Sequence, residues 1–156
     1  MDVFRISTSR YIENLSGNGA QLYGGRWNSK GRPVIYTSGS RALAALEVLV
    51  HVPQKNLTED FYVAVIFIPE QIKMKEIFVK NLPENWQEIP LQTSLQKLGD
   101  EYWKEGKYCV LKVPSVIIKE EWNYLINPLH PDARKIKIKA IEPFLFDKRL
   151  KESAIY

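Results

Sequence analysis

A lone cysteine, Cys109, and only two histidines leave this chain little with which to cross-link itself or hold a metal. One thiol cannot close an intrachain disulfide, and such sparing use of cysteine suits a reducing compartment. With His51 and His130 as the only imidazoles, a closed zinc site is excluded as well. No apolar run approaches the ~20 residues that a membrane span needs. Met1 to Arg10 is polar and charged and does not read as a signal peptide. Internal repeats and low-complexity tracts are also missing. The expectation is a soluble, cytoplasmic protein with no metal and no membrane association.

What remains is an ordinary globular composition. The chain of 156 residues is expected to form one domain, 1–156, with room for a substantial core. Its net charge of +4 is mild. That charge is compatible with anionic partners, but the basic residues are spread along the chain and no nucleic-acid motif is present. Cys109 lies in the apolar run YCVLKV, where it reads as core packing.

Short strands and few helices follow one another in mixed order. Val3 to Ile6 reads as a first strand carrying Arg5, and Leu15 to Gly25, with four glycines, as loop. A β-rich run, Val34 to Thr37, ends at Ser38-Gly39-Ser40, where either serine can cap the helix that follows. Phe61 to Ile68 is apolar on both faces and reads as a central strand closed by Pro69. Asn81 to Pro90 reads as an exposed connection, and Ser94 to Glu105 as a helix capped by Ser94 and stopped by Gly106. Tyr108 to Val113 is a further strand, and Asn127 to Pro131 a rigid turn. Lys135 to Ile141 alternates as a half-exposed strand, with Phe144 to Phe146 extending the sheet after a break at Pro143. The order points to an α+β domain with a sheet core rather than a doubly wound fold.

One helix carries an anomaly. SRALAALEVLVH, Ser40 to His51, is apolar almost all round except at Glu47. Helical spacing places Leu43, Leu46, Glu47 and Val50 on one face, which predicts a carboxylate on the buried stripe. Only His51 is ionisable at the spacing that would pair with it. A buried, unpaired carboxylate costs several kcal/mol or shifts its pKa. The bland alternative is a glutamate at the helix edge that reaches solvent or a distant arginine.

Other candidates are weaker singly. Gly24-Gly25-Arg26 allows backbone amides and a guanidinium to approach a phosphate, or is simply a glycine turn before a surface arginine. Tyr36 is either a stacking platform for a flat ring or a core tyrosine. Ser115 follows a strand end but lacks a nucleophile elbow. Asn127 reads as organising its own turn. His51 and His130 are open to general-base or structural roles, and Trp27, Trp86, Trp103 and Trp122 are scattered.

Taken together, Arg5, LSGNGA, YGGRWNSKG, VIYTS, ALAALEVLVH, VPS and NYLINPLHP closely resemble the RES domain family, named for an arginine, a glutamate and a serine. The resemblance spans nearly the whole chain in order, with Lys75 to Thr93 giving nothing to match. It implies an ADP-ribosyltransferase-like fold with a mixed, mostly antiparallel split sheet and a few short helices. It also implies a bacterial type II toxin that cleaves the nicotinamide–ribose bond of NAD+ and is restrained by an Xre-like DNA-binding antitoxin in a hetero-oligomer. ADP-ribose would pass to inorganic phosphate, to water or to a protein side chain. No permanently bound cofactor is implied; NAD+ is substrate, with phosphate as a co-substrate. Under this resemblance Glu47 stabilises the ribosyl cation and Tyr36 stacks on nicotinamide or holds the ribose. Arg26, helped by Arg5, grips the pyrophosphate, Ser115 orients the ribose or acceptor, and Asn127 is a further contact. A nucleic-acid-acting toxin and a purely structural module remain the competing readings.

Overall fold

The structure, a computed structural model, describes residues 1–57, 60–89 and 93–150, so residues 151–156 of the expected domain lie outside the described residues. Its strands are β1 (Asp2–Thr8), β2 (Ile35–Ser38), β3 (Phe61–Phe67), β4 (Met74–Glu76), β5 (Val110–Pro114), β6 (Trp122–Ile126) and β7 (Lys137–Phe144). They form one seven-stranded sheet in the order β4-β5-β6-β2-β1-β3-β7. Neighbours are antiparallel except β4 and β5, which are parallel. The α+β architecture read from the sequence is the one that forms.

The sheet is split. β1 and β2 share a single register pair, Phe4 opposite Ser38, whereas β1 and β3 pair along seven residues. Two half-sheets, β4-β5-β6-β2 and β1-β3-β7, therefore meet at a narrow seam. β3 is central to its half, and the apolar run expected there buries Val63, Ala64, Val65 and Ile66. The expected break at Pro143 does not occur. β7 is an edge strand, where a residue without an N–H removes no ladder bond, and it continues through Pro143 to Phe144.

Four α-helices are described: α1 (Ser9–Ile12), α2 (Asn18–Tyr23), α3 (Arg41–His51) and α4 (Thr93–Glu105). α2 falls where loop was expected. Two of the glycines that suggested a loop bound the helix instead: Gly17 and Gly24 flank it with φ of +72° and +73°. α4 begins at Thr93, ahead of the expected cap at Ser94, and ends before Gly106. Its Leu95, Gly99 and Trp103 face a core that also holds Trp27, Trp86, Leu111 and Leu125. Three of the four scattered tryptophans thus converge, and Trp103 Nε1 donates to the Trp27 carbonyl at 3.1 Å. Trp86 is buried within the segment expected to be exposed; the end of that segment, Pro90, lies outside the described residues. Among the described residues no helix is long and apolar enough to cross a membrane.

Ser40 caps α3. Its Oγ accepts from the Leu43 amide at 3.1 Å and donates to Glu121 Oε2 at 2.9 Å. Ser40→Ala is expected to destabilise the protein by about 1 kcal/mol, measurable by chemical denaturation. The buried face of α3 matches the expected one only in part, with Leu43 fully buried as expected. Ala44, Ala45, Val48 and Leu49 pack on Ile6, Phe61, Val63 and Phe146, while Val50 is 59% exposed. In a helix apolar nearly all round, periodicity does not choose a face. The small side chains of Ala44 and Ala45 let α3 close on β1 and β3. Glu47 therefore sits at the margin of the buried stripe, its side chain 28% exposed.

Candidate functional site

Past the Phe4–Ser38 pair, β1 and β2 stop pairing, and a cleft of about 630 Å³ lies along the gap. Arg5 and Ser7 of β1 and Ile35 and Tyr36 of β2 line it, together with α2 and the turn before it. Arg5 Nη1 donates to the Asn14 carbonyl at 2.6 Å. Burial lowers its pKa from the ordinary value, yet an arginine stays charged at neutral pH.

Tyr36 is held by its hydroxyl, which donates to Asn28 Oδ1 at 2.7 Å and accepts from the Trp27 amide at 3.1 Å. Burial pushes its pKa upward, so it stays a neutral phenol. With the hydroxyl engaged on both sides, the ring is the part of Tyr36 left to meet a ligand. Gly25 presses on this hydroxyl: a Cβ there would lie 2.5 Å from Tyr36 Oη. Asn28 is fully buried and shares its Nδ2 among the carbonyls of Ala20, Ser29 and Arg32 at 2.9, 3.1 and 3.0 Å. It fastens the Gly24–Arg32 loop around Tyr36. Sequence reasoning missed it, although it lies inside the motif YGGRWNSKG.

That loop delivers Arg26. Its Nη1 donates to the Trp86 carbonyl at 2.8 Å. Burial depresses its pKa, and Glu47 and then Tyr36 act against that depression, which places all three groups within electrostatic reach of one another.

Glu47 is not unpaired. Its Oε1 accepts from Asn123 Nδ2 at 2.6 Å and from Ser115 Oγ at 3.4 Å, while Oε2 lies 4.0 Å from His51 Nε2. Ser115 is fully buried; its Oγ also accepts from the amides of Ile117 and Ile118 at 3.1 and 3.3 Å. Ser115 thus reaches the site through the carboxylate. Asn123, absent from the sequence candidates, lies in WNYLI, where alternation sets it on the same strand face as buried Leu125.

Electrostatic reach and a hydrogen bond link Arg26, Tyr36, Glu47 and Ser115, and Arg5 lines the cleft with Tyr36, while Arg26, Glu47 and Ser115 lie outside its lining. The structure does not bring Asn127 to them. Asn127 follows β6 four positions after Asn123, about 13 Å along an extended strand. There its Oδ1 accepts from the Leu129 amide at 3.0 Å, and it borders a separate cavity of about 210 Å³. Arg32 pairs with Asp100 at 3.3 Å, and His130 Nδ1 accepts from the Asp132 amide at 3.1 Å, so both serve structure. Burial pushes the Cys109 thiol up to about 11, which suits packing rather than nucleophilic attack.

The donors that brace Glu47 are neutral, a hydroxyl and an amide. Within electrostatic reach of Arg26 and of Tyr36, which lines the cleft with Arg5, the carboxylate can stabilise a cation formed from an anionic ligand. Comparisons with known proteins agree in extent. The RES domain description matches residues 2–147. A protein named Toxin Res from Photorhabdus laumondii is 40% identical over 154 residues, covering 96% of this chain and 97% of its own. A protein named Prs ADP-ribosylating toxin from Sphingobium sp. is 39% identical over 140 residues, covering 88% and 87%. In the crystal structure of the M. tuberculosis MbcT–MbcA toxin–antitoxin complex, one chain has the same fold, with a TM-score of 0.76 at 16% identity and coverage of 92% and 84%. A split sheet, a seam cleft and relatives this similar over most of their length lead to one assignment: the chain belongs to the RES domain family.

Proposed function

We propose that this protein is the toxin of a toxin–antitoxin pair and that it cleaves NAD+ at the nicotinamide–ribose bond. The observation that carries this reading is Glu47, a carboxylate fixed by Asn123 and Ser115 within electrostatic reach of Arg26. Nicotinamide is cationic in NAD+ and leaves neutral, taking the electron pair of the C1′–N bond, so it needs no general acid. What remains is an oxocarbenium-like ribosyl cation. Glu47 stabilises that charge, Arg26 and Arg5 neutralise the pyrophosphate, and the Tyr36 ring packs against the nicotinamide end. The cleft volume of about 630 Å³ falls within the range of small-molecule sites. Attack at C1′ by phosphate gives ADP-ribose 1″-phosphate, and attack by water gives ADP-ribose.

Purified protein incubated with NAD+ is expected to release nicotinamide, faster with inorganic phosphate if phosphate is the acceptor. A cognate antitoxin of the Xre type, as the family resemblance implies, is expected to stop release in the same assay. No release with or without phosphate would overturn the reading. One observation favours a second version: the Sphingobium relative is named an ADP-ribosylating toxin. Labelled ADP-ribose on a protein band, in place of free product, would make this chain a transferase using the same site.

A further inference from the structure

The two oxygens of Glu47 are treated differently. Oε1 takes both hydrogen bonds, from Asn123 at 2.6 Å and Ser115 at 3.4 Å, and among the described residues no hydrogen bond reaches Oε2. A carboxylate only accepts, so the Asn123 nitrogen must face Glu47 and its oxygen must face away. That oxygen accepts from Ser38 Oγ at 2.8 Å, which locks the amide orientation. Ser38 is the residue opposite Asn123 on β2 and is also the β2 half of the seam pair with Phe4. Asn123 is further held by Val113 on β5, so it projects from a strand paired on both sides.

We infer that Asn123 is a positioning residue that fixes Glu47 so that Oε2 is the oxygen presented to the developing ribosyl cation. This rests on the proposed NAD+ reaction. Glu47 stands on α3 with its side chain 28% exposed, and the His51 imidazole lies 4.0 Å from Oε2. Without a strong donor on Oε1, the carboxylate can rotate toward His51 or water. A lysine at position 123 would hold it too, but would cancel the charge that the reaction uses. A neutral amide holds the oxygen and leaves the charge in place.

The test uses Asn123→Asp and Asn123→Ala in the full chain. Asn123→Asp keeps the size and the bond from Ser38 but replaces the donor with a second acceptor. Both variants are expected to lower kcat for nicotinamide release by about 10–100-fold with little change in KM for NAD+. Ser38→Ala, one hydrogen bond further back, is expected to lower kcat in the same direction by a smaller factor. A crystal structure of Asn123→Ala is expected to show the Glu47 carboxylate rotated from its wild-type position. Unchanged kcat with a lower melting temperature would reduce Asn123 to a brace between α3 and β6. A raised KM alone would make it a substrate contact. Either result overturns the inference. If wild-type protein releases no nicotinamide, the NAD+ reading falls, and the Glu47 position in the Asn123→Ala crystal still decides whether Asn123 positions it.

Discussion

Glu47→Gln is expected to lower kcat for nicotinamide release by about 10²–10³-fold while leaving KM for NAD+ nearly unchanged. Glutamine has the shape of glutamate and can still accept from Asn123 and Ser115 through its carbonyl oxygen. The substitution therefore removes the charge and spares the scaffold. Ground-state NAD+ carries its positive charge on the nicotinamide ring; the ribose acquires positive charge only as the bond breaks. An interaction realised in the transition state appears in kcat, not in KM. Steady-state kinetics on the two proteins, with melting curves to verify folding, make the comparison. A Glu47→Gln enzyme within a few-fold of wild type would remove Glu47 from the chemistry and leave it a link between α3 and β6.

Gly99→Ala is expected to cost about 3 kcal/mol or more, a fall in melting temperature of roughly 10 °C for a chain of this size. Gly99 is fixed by contact, not by backbone conformation. A Cβ there would run into the Trp27 carbonyl, the same oxygen that accepts from Trp103 Nε1. α4 must back away from Trp27, which loosens the packing of Leu95 and Trp103 and drags on the amide that bonds Tyr36 Oη. Two further bonds from α4 and its loop depend on the same approach: Gln96 Nε2 to the Gly25 carbonyl at 2.9 Å, and the Ser29 amide to Asp100 Oδ1 at 3.1 Å. Activity should fall with stability, since Arg26 lies between Gly25 and Trp27. Gly19→Ala is the control, because nothing lies within 4 Å of its added Cβ and alanine favours the helix. Equal melting temperatures for the two variants would show that α4 can shift freely and would refute the close-packing argument.

The elements that were legible are those whose signal is local. β3 announces itself by a continuous apolar run, the α3 cap by the pair Ser38 and Ser40, of which Ser40 serves, and the end of α4 by Gly106. The face of α3 was read correctly at Leu43 and wrongly at Val50, because Leu46, Val50 and the alanines all satisfy an apolar pattern and only packing on Ile6 and Phe61 selects among them. β4 and β6 were not anticipated; β4 is three residues long, and β6 mixes Trp122 and Asn123 with its apolar positions. Of the site, Arg26, Tyr36, Glu47 and Ser115 were named in advance and the structure gathers them. Their supports were not. Asn28 and Asn123 act through bonds to residues 8 and 76 positions away, and no periodicity reports a partner at such a distance. Asn127, by contrast, was read both as a turn residue and as a ligand contact, and its geometry favours the turn.

The single Phe4–Ser38 pair has a mechanical consequence. α3, which carries Glu47, is bolted to one half-sheet by Ile6, Phe61 and Val63, and by Arg41 on Glu142 at 2.9 and 3.2 Å. The donors that hold Glu47, Asn123 and Ser115, ride on the other half. The carboxylate is thus aligned by the docking of two plates and by neither alone. An ångström of opening between them would break a 2.6 Å bond and widen the cleft that the two plates share. A protein that gripped both plates from outside would hold a throttle on the reaction, with no need to enter the site.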